Sequence, residues 1–324
     1  MIIRKKYLVT CLFPVLYWIA ASSAAYGADS AAMQAILQKC YDGKGPCALS
    51  FQGSKRVLDT PLLIVPSLVT LRDVTIQCTM ASGPCLNVTM DGYESTFPAG
   101  GTHALENITL IGNGNNDGIR MSYNGNNPNI DAVIALNHVG MIGFAHGLVL
   151  GSGTWGGNFQ DVQIGDGNIG IYVPANIHNA GERTTYNGTI YNNQVGIDEE
   201  SSYEFDFNGV SFDFNATQMI LNGPTNFIGH IENQTTANPE IYLKALTGVP
   251  AGSIYMSAGS TITVDGNTPG QPAGECYVST VVYYNNIQVP ATTWGFVGKS
   301  GNPVCGPGTT YSFGSKVPPS SLNY

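Results

Sequence analysis

A repeat of 22 to 26 residues is the feature that most constrains how this chain can fold. Four segments align, each with an apolar anchor, a turn rich in Gly and Asn, and a second short apolar run: 138–150, 161–173, 187–199 and 209–221. Their anchors are Met141, Ile164, Ile190 and Phe212, so successive anchors are 23, 26 and 22 residues apart. This period, with almost no helical pattern, predicts a parallel β-solenoid with one coil per repeat. A β-sandwich also has short strands, but it does not require such a period.

The predicted fold is therefore all-β, with a helix only near the start. Residues 29–41 place Met33, Ile36 and Leu37 at helical spacing. We expect residues 28–60 to cap the first coil, because the open end of a coil is a sheet edge that must be covered. The coils are predicted over residues 61–245, and residues 246–324 are predicted to form a β extension that caps the other end.

The composition excludes several classes of protein. Charged residues make up 11% of the chain, against about 25% in typical domains, and 13 Lys and Arg face 22 Asp and Glu, for a net charge of −9. A coiled coil would need far more charge, and a disordered chain would have less apolar material to bury. The acidic balance argues against a nucleic-acid partner, since such surfaces need Lys and Arg.

The N-terminus and the cysteines indicate export. Residues 1–27 combine a basic start, an apolar stretch and a run of small residues, which is typical of a signal peptide. We expect a secreted or periplasmic protein with no stable membrane insertion after the leader is removed. Six cysteines remain, and their spacing favours three local disulfides although other pairings stay open: Cys40–Cys47, Cys78–Cys85 and Cys276–Cys305.

Several phrases resemble the coils of right-handed parallel β-helix proteins of the pectate-lyase-like superfamily. They are LENITLIGNG, NFQDVQIGDGNIGIYV, TTYNGTIYNNQVGI and FDFNGVSFDFN. The resemblance covers roughly residues 60–245 and implies this fold and a protein that handles polysaccharides. The motifs typical of the pectin hydrolases of this superfamily are absent from the sequence.

The acidic residues are concentrated in the segment 182–213, and we predict three catalytic carboxylates there: Glu182, Glu204 and Asp206. An offset of 22 residues between coils places Glu182 opposite Glu204, near the carboxyl separation of retaining glycosidases. An offset of 21 instead places Arg183 opposite Glu204, and a slip of one residue exchanges the faces of a strand. The alternative is that these acids only line a solvated face.

Four residues are predicted to bind substrate. Tyr172 and Asp198 belong to a ladder, with Val149 and Ile220, that is expected to point outward, so that Tyr172 offers an aromatic platform beside an acid. His178 lies in a loop shortly before Glu182, and Arg183 follows that acid directly.

These features predict an exported glycoside hydrolase that acts on a polysaccharide or oligosaccharide without a metal or other cofactor. One alternative is a polysaccharide lyase, which would need a base together with Arg183 or with Ca²⁺ held by Asp198 and Glu200. Another alternative is a β-helix that binds glycans without cleaving them.

Overall fold

The computed structural model describes residues 29–43, 47–93, 103–182, 184–221, 224–233, 241–243, 253–256, 261–264, 282–284, 287–289 and 310–312. In these ranges the only helix is α1 (Ser30–Gly43), which matches the predicted helix at 29–41. No helix there is both long and apolar enough to cross a membrane.

The strands, numbered along the chain, alternate between two sheets. The first sheet contains β1 (Cys47–Leu58), β3 (Val69–Cys78), β5 (Ala104–Ile111), β7 (Ala135–Ile142), β9 (Asn158–Gly165), β11 (Thr184–Tyr191), β13 (Phe205–Asp213), β15 (Pro224–Asn233), β17 (Ser253–Met256), β18 (Thr261–Val264) and β21 (Thr310–Ser312). The second contains β2 (Leu62–Ile64), β4 (Pro84–Val88), β6 (Asp117–Met121), β8 (His146–Leu150), β10 (Ile169–Val173), β12 (Val195–Glu199), β14 (Thr217–Leu221), β16 (Ile241–Leu243), β19 (Val282–Tyr284) and β20 (Ile287–Val289).

Pairing within both sheets is parallel from β1 to β19, and each strand up to β14 pairs with the strand two places later in the chain. Only the pairs β18–β21 and β19–β20 are antiparallel among the described strands. This alternation is consistent with a parallel β-helix, in which every coil gives one strand to each sheet and stacks on the coil before it.

The repeat anchors form one ladder, as predicted. Met141 pairs with Ile164, Ile164 with Ile190, and Ile190 with Phe212. All four side chains are buried, and so are the equivalent residues of the second sheet: Leu148, Ile171, Ile197 and Met219. The repeat therefore identifies the residues that stack to form the core.

The strands of the first sheet bend in the middle. Phe159 and Val162 of β9 are both buried, although residues three apart lie on opposite faces of a flat strand. Between them Asp161 adopts a left-handed conformation with a φ of 50°. Residues with positive φ occupy the same place in three neighbouring strands and in β13: Asp73, Asn107, His138 and Gly209. Each bent strand consequently contributes two apolar runs to the core.

Helix α1 covers the exposed edge of the second sheet. The Tyr41 hydroxyl donates to the carbonyl of Leu63 at 2.6 Å, and Gln34 Oε1 accepts the Leu63 N–H at 2.8 Å. These bonds satisfy backbone groups of β2 that have no neighbouring strand on that side.

Two of the three predicted disulfides are confirmed. Cys40–Cys47 joins α1 to β1, and Cys78–Cys85 joins β3 to β4. Cys276, Cys305 and the predicted leader lie outside the described residues. Disulfides are typical of proteins from oxidising or extracellular compartments.

The connections between the sheets differ in length on the two sides of the coil. Connections from the first sheet to the second stay short, as at 143–145, 166–168 and 192–194. Those from the second sheet to the first vary, as at 122–134 and 151–157. These variable connections also stack on one another, because Ala132 N–H donates to Gly153 O at 2.8 Å and Gly153 N–H donates to His178 O at 3.0 Å.

Candidate functional site

Three successive variable connections enclose a cleft with a volume of about 520 Å³. It is lined by Pro128, Asn129, Trp155, Asn179, Ala180 and Glu182. The Glu182 side chain is exposed, whereas Trp155 is half-buried. An indole ring, amide groups and a carboxylate in one concave site give a ligand an apolar surface together with hydrogen-bonding partners.

Asp131 lies in the first of these connections and is bound to the second. Its carboxylate accepts the backbone N–H of Val133 at 2.8 Å and the backbone N–H of Trp155. Burial raises the pKa of Asp131 from its usual 3.8 to about 7, although both hydrogen bonds act to lower it. The group can therefore carry a proton near neutral pH, as a general acid must.

A buried polar cluster holds the next connection, 200–204, in place. Tyr203 is fully buried, and its hydroxyl lies 3.0 Å from Thr184 Oγ1 and 3.5 Å from Thr154 Oγ1. The carboxylate of the fully buried Glu199 accepts the Tyr203 backbone N–H. Burial raises the pKa of Tyr203 to about 12, so that its hydroxyl remains neutral. The cluster fixes the backbone from which Glu204 projects.

Both predicted offsets between β11 and β13 occur, separated by a bulge. Ile190 pairs with Phe212 at an offset of 22, whereas Thr184 pairs with Phe205 at an offset of 21. Glu204 N–H donates to Gly181 O at 2.9 Å, and Glu204 O accepts Thr184 N–H at 3.0 Å. Glu204 is thus hydrogen-bonded to Gly181 and Thr184, and the offset of 22, which would place it directly opposite Glu182, holds only beyond the bulge.

Of the three predicted catalytic residues, only Glu182 lines the cleft. Asp206 pairs with Thr185 and Asn226 in the first sheet, and its Oδ1 accepts Asn226 Nδ2 at 2.6 Å. Arg183, predicted to bind substrate, lies outside the described residues.

Tyr172 and Asp198 are neighbours in the second sheet, as predicted, but they do not line the cleft. The Tyr172 hydroxyl donates to Glu200 Oε2 at 3.1 Å, and its ring stacks on His146 with centroids 4.7 Å apart. Burial, followed by the nearby Glu200 and Asp198 carboxylates, raises the pKa of Tyr172 to about 12. One face of the expected aromatic platform is thus occupied by His146.

Val149 is an exception in the ladder that was predicted to point outward. Val149 pairs with Tyr172 as expected, but it is only 3% exposed, so neighbouring side chains cover it. Covering this residue is favourable because an isolated apolar side chain on the sheet surface would otherwise face water.

His178 is exposed and anchored next to the cleft. Its Nδ1 lies 3.1 Å from Ser152 Oγ, and its backbone N–H donates to the same oxygen at 3.2 Å. These bonds hold the loop that carries Asn179 into the cleft. Within the described ranges, no carboxylate is hydrogen-bonded to this imidazole in the way that the third member of a catalytic triad would be.

No group of three or more His, Cys, Asp or Glu residues suited to a metal ion occurs in the described part of the chain. Asp198 and Glu200, the ligands considered for Ca²⁺, both lie beside Tyr172, and Glu200 accepts its hydroxyl.

Sequence reasoning missed Asp131, His146 and Asp117. Asp131 is a single acid in an Asn- and Pro-rich stretch, and nothing in its neighbours indicates burial. His146 precedes a turn glycine, and its carboxylate partner Asp117 is 29 residues earlier. The coil register alone could have paired these two, since both begin a strand of the second sheet.

Comparison with known proteins finds no matching family model and no matching curated protein.

Proposed function

We propose that the chain is an exported glycoside hydrolase that cleaves a polysaccharide in the cleft between the variable connections. The proposal includes a right-handed parallel β-helix of the pectate-lyase-like type, and it is supported by the alternating parallel sheets and the coil-by-coil register. Export is supported by the leader-like N-terminus and by the two disulfides.

The observation that carries the proposal is the combination of Asp131 in the first and Glu182 in the third of the three stacked connections. Glycoside hydrolysis requires one protonated acid for the glycosidic oxygen and one ionised carboxylate for the sugar ring or the attacking water. Asp131, with a pKa raised to about 7, provides the proton, and the exposed Glu182 provides the carboxylate. Their environments differ, which is how two carboxyl groups acquire different roles.

The remaining residues supply binding in this proposal. Trp155 offers an apolar surface for a sugar ring, and Asn129 and Asn179 offer amide hydrogen bonds within the cleft. Glu204 and Asp206 lie on the next coil and extend the polar surface along which a longer chain would run.

The test measures new reducing ends released from a panel of neutral and acidic polysaccharides. We expect Glu182→Gln and Asp131→Asn each to lower the rate by about 100-fold or more, since each removes one proton-transfer group. Glu106→Gln is the matched control, because Glu106 lies on β5 of the first sheet, away from the cleft lining, and its substitution should leave the rate unchanged.

Other outcomes reject the hydrolase. An unsaturated product that absorbs ultraviolet light would identify a lyase, and glycan binding without any cleavage would identify a binding protein. Cleavage that survives both the Glu182 and the Asp131 substitution would place the active site elsewhere.

A further inference from the structure

The outer face of the second sheet carries an Asp–His pair that the proposed glycan cleft does not use. Asp117 begins β6 and His146 begins β8, and the two residues are partners in the sheet register. His146 Nδ1 lies 2.7 Å from Asp117 Oδ1, and Arg120 Nη2 donates to Asp117 Oδ2 at 2.6 Å. The Asp117 side chain is only 8% exposed, so both of its oxygens are held by side chains and not by bulk water.

The arrangement fixes the state of the imidazole. Burial alone would raise the pKa of Asp117, but the His146 hydrogen bond and the Arg120 charge outweigh it and lower that pKa. An ionised Asp117 can only accept this hydrogen bond, so Nδ1 carries its proton and the neutral form of the ring has its lone pair on Nε2. The ring is also held by its stacking on Tyr172, whose hydroxyl is in turn bound to Glu200.

Two of the groups on this carboxylate reach solvent. The side chains of His146 and Arg120 are 30% and 43% exposed. Among the described residues, His146 Nε2 and Arg120 Nη1 have no hydrogen-bond partner, and neither is a buried unsatisfied atom, whereas Arg120 Nε is one. A basic nitrogen and a cationic N–H are therefore both open beside one buried anion.

We propose that Asp117, His146 and Arg120 form a second active site, which hydrolyses acyl esters by general-base catalysis. A water oxygen attacks the ester carbonyl carbon while its proton passes to His146 Nε2, and Arg120 stabilises the negative charge that develops on the carbonyl oxygen. The bond between the carbonyl carbon and the alcohol oxygen then breaks, and His146 returns the proton to that oxygen. Water is the only co-reactant, and the products are a carboxylic acid and an alcohol. Asp117 does not touch the substrate and acts as a positioning residue.

The first sheet provides an internal control. His138 Nε2 lies 3.5 Å from Asp161 Oδ2, and these side chains are 66% and 55% exposed. This second Asp–His pair is long, solvated and without an arginine bound to its carboxylate among the described residues. Its substitution therefore measures how much ester hydrolysis an ordinary surface histidine contributes.

The test follows p-nitrophenyl acetate hydrolysis by the mature protein, with the buffer rate subtracted. We expect His146→Gln and Asp117→Asn to lower the rate by about 100-fold, and His138→Gln to leave it unchanged. An equal loss in the His138 variant, or activity that survives His146→Gln, would overturn the proposal. Circular dichroism checks that each variant is folded.

If the His146 variant does not fold, the pH dependence of p-nitrophenyl acetate hydrolysis by the wild-type protein tests the proposal instead. The rate should fall toward acid pH, because a protonated imidazole cannot accept the proton of the attacking water. A rate without that acid limb, or no rate above buffer, would refute the esterase. Glycan cleavage uses different residues and a different product, so failure of one proposal leaves the other standing.

Discussion

The raised pKa of Asp131 comes from its buried environment and not from neighbouring acidic residues. The conspicuous acidic residues lie in 182–213, yet Asp131 lies outside that cluster and owes its raised pKa first to burial. A carboxyl group that leaves water loses hydration of its charged form, and two backbone N–H donors only partly replace it. A single residue can therefore be poised for proton transfer without any acidic neighbour in the sequence.

This shift predicts how stability depends on pH. The folded pKa of Asp131 is about 7, against 3.8 for the ordinary group, so the folded state binds more protons between these values. Stability contributed by protonated Asp131 is full below pH 4 and is lost as the pH rises through 7. Asp131→Asn cannot ionise, so relative to the wild type it should gain on the order of 2 to 4 kcal/mol in unfolding free energy between pH 4 and 8.

Urea denaturation of both proteins at several pH values measures this difference. Asp166→Asn, at an exposed turn, is the control for the loss of a carboxyl group that is not buried. Parallel curves for Asp131→Asn and the wild type would show that this carboxyl group ionises normally in the folded protein.

At the scale of the strand, the bend of the first sheet depends on backbone conformation. Asp73, Asn107, His138 and Asp161 share a positive φ but not a chemical type. Asn and Asp tolerate the left-handed region because their short polar side chains bond locally, as Asn107 Nδ2 does to Asp73 Oδ1 at 3.2 Å. A β-branched residue at such a place would meet steric strain.

Two substitutions of Asn107 measure the steric cost of a β-branched side chain at this position. Asn107→Gly and Asn107→Val both remove the bond to Asp73, but only valine opposes the φ of 51°. We expect the valine variant to be less stable than the glycine variant by about 1 to 2 kcal/mol in a urea titration. Thr109→Val, on the same strand with an ordinary φ, should change stability by about 0.5 kcal/mol or less. Equal stability of the glycine and valine variants would mean that the bend is not strained.

The strands show what sequence reasoning can and cannot reach. The anchors Met141, Ile164, Ile190 and Phe212 were predictable, because stacked coils repeat their buried residues at one level. The bulge that gives β11 and β13 two offsets was not, because one inserted residue leaves the apolar pattern on each side intact. That bulge lies near Glu182 and Glu204, the carboxylates whose pairing depended on the offset. The stacking of the core residues was therefore predictable from the sequence, whereas the arrangement of the site residues was not.

The cleft could not be predicted from the sequence repeat either. Trp155, Asn129 and Glu182 come from three connections of different length, and no period relates their positions. Tyr172 and Asp198 were placed together correctly because they lie on paired strands, where the period does apply.

At the scale of the whole molecule, α1 covers the first edge of the second sheet. Tyr41 and Gln34 satisfy the backbone of Leu63, and the Cys40–Cys47 disulfide fastens the helix to β1. An uncovered edge of a parallel sheet presents unpaired N–H and C=O groups that another chain can bind.

Removal of α1 should therefore cause self-association. We expect a variant that lacks residues 30–43 and carries Cys47→Ser to form oligomers that grow with protein concentration in light-scattering measurements. Cys40→Ser with Cys47→Ser keeps the helix and serves as the control, which should retain the wild-type mass. If the truncated chain also keeps that mass at all concentrations, the helix is not needed to block the edge.

The unequal lengths of the two sets of connections have a consequence for how such a protein can diversify. Turns such as 143–145, 166–168 and 192–194 have one length, whereas the connections at 122–134, 151–157 and 174–182 differ in length. The cleft is lined by residues of these variable connections. Its ligand preference can therefore change, by evolution or by engineering, while the paired strands stay the same. Exchange of one such loop between related chains is thus a direct route to altered selectivity on an unaltered scaffold.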